Sequence, residues 1–270
     1  MIDISINQNA LKFLPKPKAI IFDWDNTLVD TWPLIHQAIN ITLEKMGKKK
    51  FSLEQVQNEI HKSMRDYFPQ IFGNQWKQAG EIYRLAYNSI NIDQIKLLPN
   101  SLDLIKTNHD LGITQFLLSN KSGITLRKEL KKLQIEKYFF SAIGAFDAKF
   151  DKPHPSSVDL ALSLSDIDPN KDLIWFIGDT IADIECAINS NCLPIIYGHS
   201  SHKISQSITP QILQNGFIYP ASKSSNTSKS QATSKSPTLY QNPSALYQNP
   251  SIIPIYFDHQ QLIAILKSYS

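Results

Sequence analysis

An open α/β fold, doubly wound around a mainly parallel sheet, follows from three features of this 270-residue sequence. Short, continuously apolar runs recur along the chain, as expected of strands covered on both faces. Stretches with apolar residues three and four apart separate them, as expected of amphipathic helices. The first, second and fourth of these runs also stop abruptly at a polar or acidic cluster. The runs, in order, are Ala19 to Phe22, Ile113 to Leu118, the weaker Ala142 to Phe146, Leu173 to Ile177, and Leu193 to Tyr197. Leu102, Ile105 and His109 mark a helix before the second run, and Leu126, Leu130 and Leu133 one after it. Val158, Ala161, Leu162 and Ser165 mark another before the fourth. Strand–helix alternation of this kind builds a parallel sheet with helices on both faces.

Residues 30–98 break the alternation. They carry no convincing strand and read as several helices: Leu34, Ile35, Ala38, Ile39 and Leu43 on one, then Leu53, Val56 and Ile60. A third runs from about Trp76 to Ile90, with Ile82, Leu85 and Ala86 on one face. A crossover of about 70 residues is far longer than one helix needs, so 30–98 is expected to form a helical cap domain. The core domain is then 1–29 with 99–199 and 252–270. Between its last two parts, 200–251 turns to Ser, Thr, Asn, Gln and Lys, and Leu239 to Ser244 recurs as Leu246 to Ser251. Two prolines in a duplicated heptad oppose a helix, so an irregular low-complexity insertion is expected there, its protein partner, if one exists, unidentified. Ile252 to Phe257 reads as a last strand, placed at a sheet edge by Pro254. Asp258 reads as the N-cap of a last helix with Leu262, Ile263 and Leu266.

Composition narrows the function. Hydrophobic residues are 42% and charged residues 19%, enough for a real core. Lys and Arg number 27 against 24 Asp and Glu, and this balance gives no electrostatic case for nucleic acid or a membrane surface. No apolar run approaches the ~18 residues that span a bilayer. The two cysteines, Cys186 and Cys192, form no disulfide framework and read as small buried hydrophobes, so a cytoplasmic location is expected.

The chemistry gathers at the carboxyl ends of the strands, where open α/β sheets form their ligand crevice. Asp23, Asp25 and Thr27 follow the first strand; residues two apart there project to one side, and two crowded carboxylates call for a cation or a shared proton. Gly178-Asp179-Thr180 with Asp183 follows the fourth, although Asp179 could also serve simply as an N-cap. Four carboxylates at one sheet edge, without a Cys or His cluster, favour oxygen ligation and Mg²⁺ over zinc. His154, between two prolines, reads as structural. Lys152, in a Pro-stiffened loop, supplies a positioned cation, with Lys149 as a nearby competitor. Ser119, Asn120 and Lys121 follow the second strand at an expected helix start, where a hydroxyl and backbone N–H groups can cradle phosphate oxygens. Lys62 and Arg65 are candidate anion contacts in the cap, or solvated helix-face charges.

In order and spacing, Asp23-x-Asp25-x-Thr27, Ser119, Lys152-Pro153 and Gly178-Asp179-x-x-x-Asp183 resemble the four motifs of the haloacid dehalogenase superfamily. The helical insertion after the first motif is similar to that superfamily's first cap class, and Asn120-Lys121 and Lys152 to Pro155 to its phosphoglycolate phosphatase branch. The resemblance implies a Rossmann-like core and a Mg²⁺-dependent phosphatase. Its substrate would be a small phosphate monoester, phosphoglycolate-like, hydrolysed through an aspartyl-phosphate on Asp23. It further implies Asp25 as acid and base, and Lys152 as the cation offsetting charge on Asp23 and the phosphoryl oxygens. Thr27, Ser119, Asn120 and Lys121 would serve the substrate or the loop. Asp23, Asp179 and the main-chain carbonyl of Asp25 would hold the metal, with Asp183 in support. A phosphosugar mutase or pyrophosphatase of the same superfamily, or a catalytically inactive binding module, are the alternatives.

Overall fold

The computed structural model describes residues 5–7, 14–59, 64–90, 94–198, 252–256 and 258–269. Among the described residues, nine strands occur in the order β1 (Ser5–Asn7), β2 (Ala19–Phe22), β3 (Val29–Asp30), β4 (Lys96–Leu97), β5 (Thr114–Ser122), β6 (Ser141–Ala145), β7 (Ile174–Gly178), β8 (Leu193–Tyr197) and β9 (Ile252–Tyr256). The helices among the described residues are α1 (Trp32–Lys45), α2 (Leu53–Glu59), α3 (Met64–Phe72), α4 (Trp76–Ser89), α5 (Ser101–Asp110), α6 (Gly123–Leu133), α7 (Ser156–Leu162), α8 (Ile181–Asn189) and α9 (His259–Lys267).

Seven strands form one sheet in the order β1-β9-β8-β7-β2-β5-β6, every neighbouring pair parallel. The chain runs outward from β2 through β5 to β6, then returns to the other side of β2 for β7, β8 and β9. That reversal beside β2 is the switch point at which such sheets open a crevice. The central strand β2 is buried at all four positions. Its residues alternate between two apolar layers. Ile20 and Phe22 pack with Leu117, Trp175 and Ile177 beneath α5, α6 and α9, while Ala19 and Ile21 pack with Phe116, Phe176 and residues of α7 and α8. Burying an Ile or Phe side chain stabilises by about 1.5–3 kcal/mol, and a strand that does so on both faces has to be apolar throughout.

The α1–α4 region holds a third apolar cluster of its own, centred on Leu34, Ile39, Val56, Phe68, Phe72 and Ala79. Several details there differ from the sequence reading. On α4 the buried residues are Ala79, Gly80, Ala86 and Tyr87, while Leu85 is 62% exposed. Helix α3 went unread because Pro69 lies inside it. The antiparallel pair β3–β4 closes the base of this region, Val29 against Leu97 and Asp30 against Lys96; strands of two residues carry no period to read.

Three further corrections concern the core. Strand β9 is not at an edge, because β1 pairs with it and sets Asn7 opposite Pro254. Its ladder to β8 pairs Ile255 and Tyr256, so Pro254 takes no part in that side's hydrogen bonding. Strand β5 runs on through Ser119, Asn120 and Lys121 to Ser122, with a register irregularity after Leu118, and α6 begins only at Gly123. The helix expected to start at Ser119 is thus a bulged strand end, a device that re-aims side chains next to a site. Asp258 does cap α9, accepting from the Gln261 N–H at 3.0 Å. The expected irregular insertion and its duplicated heptad lie outside the described residues.

Candidate active site

Strand β2 continues one residue beyond its last rung, where the Asp23 N–H donates to the Ile177 carbonyl at 2.8 Å. The chain then turns through Asn26, whose φ of 61° is tolerated by Asn better than by most residues. The Asn26 side chain accepts from the N–H groups of Thr31 and Trp32, tying the turn to the start of α1. Alternation through this segment buries Trp24 in the core between Asp23 and Asp25.

Asp23, Asp179 and Asp183 each present a carboxylate oxygen, all within 4.8 Å of one another. Lys152 lies among them, buried. Its Nζ donates to Asp23 Oδ1 at 2.6 Å, to Asp183 Oδ1 at 2.6 Å and to the Leu118 carbonyl at 2.8 Å. Burial alone would lower the Lys152 pKa, but Asp183 and Asp23 outweigh it and raise it. The Thr27 hydroxyl lies 3.2 Å from Asp23 Oδ2 and 3.3 Å from Asp179 Oδ1. Asp183 Oδ2 accepts from the Thr180 N–H at 3.0 Å and hydroxyl at 2.6 Å, so Thr180, not Asp179, caps α8. Asp179 is thereby free of the helix and lines the crevice. Gly178 permits the approach, since a Cβ there would stand 2.3 Å from Asp183 Cγ.

Burial, with Asp183 and Asp25 nearby, pushes the Asp23 carboxyl up to about 7 against the pull of Lys152. Burial and the carboxylates of Asp23 and Asp183 likewise raise Asp179 well above its usual range. With all three carboxylates ionised beside one ammonium, two negative charges would stand uncompensated; burial and that excess raise Asp23 and Asp179. An all-oxygen donor set with that residual charge fits a hard divalent cation.

The Asp25 side chain belongs to a second cluster. Its Oδ1 lies 2.7 Å from Lys121 Nζ, and its Oδ2 accepts from the Ser119 hydroxyl at 3.4 Å. Lys121 also donates to Glu129 and to the Tyr87 hydroxyl, the latter at 2.9 Å. Glu129, buried on α6, accepts in addition from Trp24 Nε1 at 2.6 Å and from Tyr87 at 2.9 Å. Asp25 is therefore anchored through Lys121 both to the core and to α4. Asn120 donates to the Lys152 carbonyl at 3.1 Å, bracing the lysine's loop.

The remaining sequence candidates fall outside the two clusters. Lys149 is exposed, its ammonium 5.3 Å above the Phe150 ring, and His154 is exposed and bonded to Ser156. Arg65 clamps Asp151, with Nη2 donating to Oδ1 at 2.6 Å, and is not a free anion contact. Lys62 lies outside the described residues. Cys186 and Cys192 are buried free thiols, Cys186 pushed up to about 12 by burial. Sequence reasoning missed Glu129, although the signal was available: it shares the apolar stripe of Leu126, Leu130 and Leu133. Nothing local marks Tyr87 or Trp24.

Both clusters open into one cavity of about 670 Å³ between the sheet edge and the helical cap. Asp23, Asp25, Ser119, Lys121, Lys152 and Asp179 line its core side, and Trp32, Trp76 and Tyr83 are among the residues facing them.

An acid-edged crevice at the switch point of a doubly wound parallel sheet, roofed by helices inserted after the first acidic turn, defines a class of hydrolases. Residues 20–196 match the haloacid dehalogenase-like hydrolase model, and the chain belongs to that family. A curated phosphoglycolate phosphatase of Pseudomonas fluorescens is 24% identical over 68% of this chain and 71% of its own. The pyrophosphatase PpaX of Anoxybacillus flavithermus is 29% identical over 61% and 76%. Among solved structures, a protein from Lactobacillus delbrueckii subsp. bulgaricus shares the fold at 18% identity, with TM-score 0.64 over 93% of this chain and 99% of that one. A haloacid dehalogenase-like hydrolase of Streptococcus pneumoniae gives TM-score 0.58 at 25% identity over 66% and 83%. No described helix is long and apolar enough to cross a membrane.

Proposed function

We propose that this protein is a Mg²⁺-dependent phosphatase that hydrolyses a small-molecule phosphate monoester. The carrying observation is the separation of two differently held carboxylates on one cavity: Asp23 gripped by Lys152 beside Asp179 and Asp183, and Asp25 held apart by Lys121 and Ser119. Two carboxylates in distinct surroundings suit two roles, one nucleophile and one acid–base group.

A carboxylate oxygen of Asp23 attacks phosphorus while the bond to the leaving oxygen breaks and Asp25 gives that oxygen its proton. Water then attacks the aspartyl-phosphate, Asp25 takes a proton from it, and inorganic phosphate leaves with Asp23 restored. Splitting the displacement in two lowers each barrier, and a placed acid–base group contributes about 10²–10⁴-fold. Lys152 offsets charge on Asp23 and on the phosphoryl oxygens, Ser119 and the neighbouring N–H groups seat the phosphate, and Thr27 steadies Asp23. Asp23, Asp179 and the main-chain carbonyl of Asp25, supported by Asp183, would hold Mg²⁺, whose charge lets an anionic nucleophile approach an anionic ester.

The test is Asp23→Asn, assayed with p-nitrophenyl phosphate in Mg²⁺ and in EDTA. Turnover should fall by at least about 10⁴-fold, as for other lost nucleophiles, and EDTA should silence the parent enzyme. A variant within tenfold of the parent overturns the proposal.

A further inference from the structure

The cavity is large for a phosphoglycolate-sized ester. Its 670 Å³ equals the liquid volume of about 22 waters at about 30 Å³ each, whereas phosphoglycolate has only nine non-hydrogen atoms. Pockets of 300–1,000 Å³ commonly take drug-sized ligands.

The wall facing the phosphate end is built from rings. Trp32, Trp76 and Tyr83 come from α1 and α4 and are half-buried, with the Lys77 ammonium 5.8 Å from the Trp76 ring centre and Tyr83 packed on Phe68 and Tyr87. Phe146 joins them from the core side, 52% exposed and with φ at 70°, a backbone conformation that a bulky side chain rarely adopts. It is held there deliberately. Its N–H donates to Asp151 Oδ1 at 3.0 Å, and the Arg65 guanidinium stands 4.5 Å over its ring. Backbone strain maintained to keep an apolar ring at a cavity wall marks a functional position.

A second anionic group, such as a carboxylate or another phosphate, would need its own cation. Lys152 is engaged by Asp23 and Asp183, Lys121 by Asp25 and Glu129, and Arg65 by Asp151. Among the described lining residues this leaves Lys77, exposed, and Arg84, exposed and 3.9 Å from Glu81. Ring faces, by contrast, are plentiful, and stacking on an aromatic side chain tolerates any planar π-system.

Resting on the phosphatase reading above, we infer that the substrate is a phosphate monoester whose leaving alcohol carries a planar aromatic ring, seated between Trp76 and Tyr83 of the cap and Phe146 of the core. The ring chemistry is common to nucleosides and to pyridine alcohols, and a substrate panel separates the two sources.

The experiment measures kcat/KM in Mg²⁺ for adenosine 5′-monophosphate, pyridoxal 5′-phosphate, phosphoglycolate, glycerol phosphate and pyrophosphate, with acetyl phosphate, activated and ring-free, as a generic reporter. At least one ring-bearing ester of the first two should exceed each of the next three by tenfold or more. Trp76→Ala should then raise KM for that ester about tenfold with little change for glycerol phosphate, and Trp76→Phe should restore it. Phosphoglycolate or pyrophosphate matching the ring-bearing esters overturns the inference and leaves the phosphatase reading intact. So does acetyl phosphate turned over with both ring-bearing esters inert, or a Trp76→Ala loss that is equal across substrates. Failure on every substrate, the reporter included, removes the phosphatase reading as well.

Discussion

The two walls of the cavity are built on opposite principles. On the sheet side the important groups are charged, buried and multiply bonded: Lys152 makes three hydrogen bonds of 2.6–2.8 Å, and Asp183 accepts on both oxygens. On the helical side they are half-buried rings around a separate apolar cluster, with Phe68 edge-on to Tyr83 at 5.5 Å. Charges taken out of water have to be placed accurately, since a lost partner leaves an uncompensated ion. Rings exchange with little penalty if volume is kept. The sheet side therefore admits few changes, whereas the cap can vary while its own cluster stays packed.

Lys152→Ala probes this contrast most severely. It strips the one ammonium from Asp23 and Asp183, so activity should fall by at least about 10³-fold, and breaking such a buried pair costs about 3–5 kcal/mol. Denaturant unfolding beside a p-nitrophenyl phosphate assay reads both, and a variant with near-parental stability and rate would erase the contrast.

Cation binding comes next. With its carboxyl at about 7 against an ordinary value of 3.8, Asp23 binds its proton more tightly in the folded chain than in the unfolded one. Its contribution is then fully present below about pH 4 and is lost as pH climbs through 7. Mg²⁺ should compensate where that loss is complete. At a hundredfold excess over Kd, binding is worth about 2.7 kcal/mol, or roughly 5–10 °C in Tm for a chain of this size. Thermal melts should show the larger Mg²⁺ gain at pH 8 and the smaller at pH 5; an equal gain at both would detach the metal from Asp23.

The mildest probe is Tyr87→Phe, which deletes the hydroxyl joining α4 to Glu129 and Lys121. A hydrogen bond to a charged partner, as both of these are, is worth about 1.5–3 kcal/mol, and Glu129 and Lys121 keep each other when the hydroxyl goes. A drop of severalfold in kcat/KM, with Tm lowered by a few degrees, is expected; a 10³-fold loss would place Tyr87 with the sheet-side chemistry instead.

The sequence carried the sheet-side wall almost completely and the cap-side wall hardly at all. Asp23, Lys152, Asp179 and Asp183 each follow an apolar run, and a parallel sheet aligns such ends whatever joins them. Asp25 was legible as a strand-end carboxylate, but not its attachment to Lys121, which depends on the bulged end of β5. The cap rings belong to helices whose relative packing no local period encodes, and α4 buries its small residues toward α1 rather than Leu85. Glu129 was readable in principle, as a charge within an apolar stripe, and only the fold shows what it grips.

One contact between the walls bears on how firmly the cap is seated. Arg65 on α3 holds Asp151, the residue immediately before Lys152, through two nitrogens at 2.5 and 2.6 Å, and it remains partly accessible to water. Because the Asp151 side chain is almost wholly shielded from water, added electrolyte screens this pair only weakly. The tie between roof and floor therefore holds across ordinary ionic strengths, and the loop that presents Lys152 is fastened from the cap side whatever the buffer.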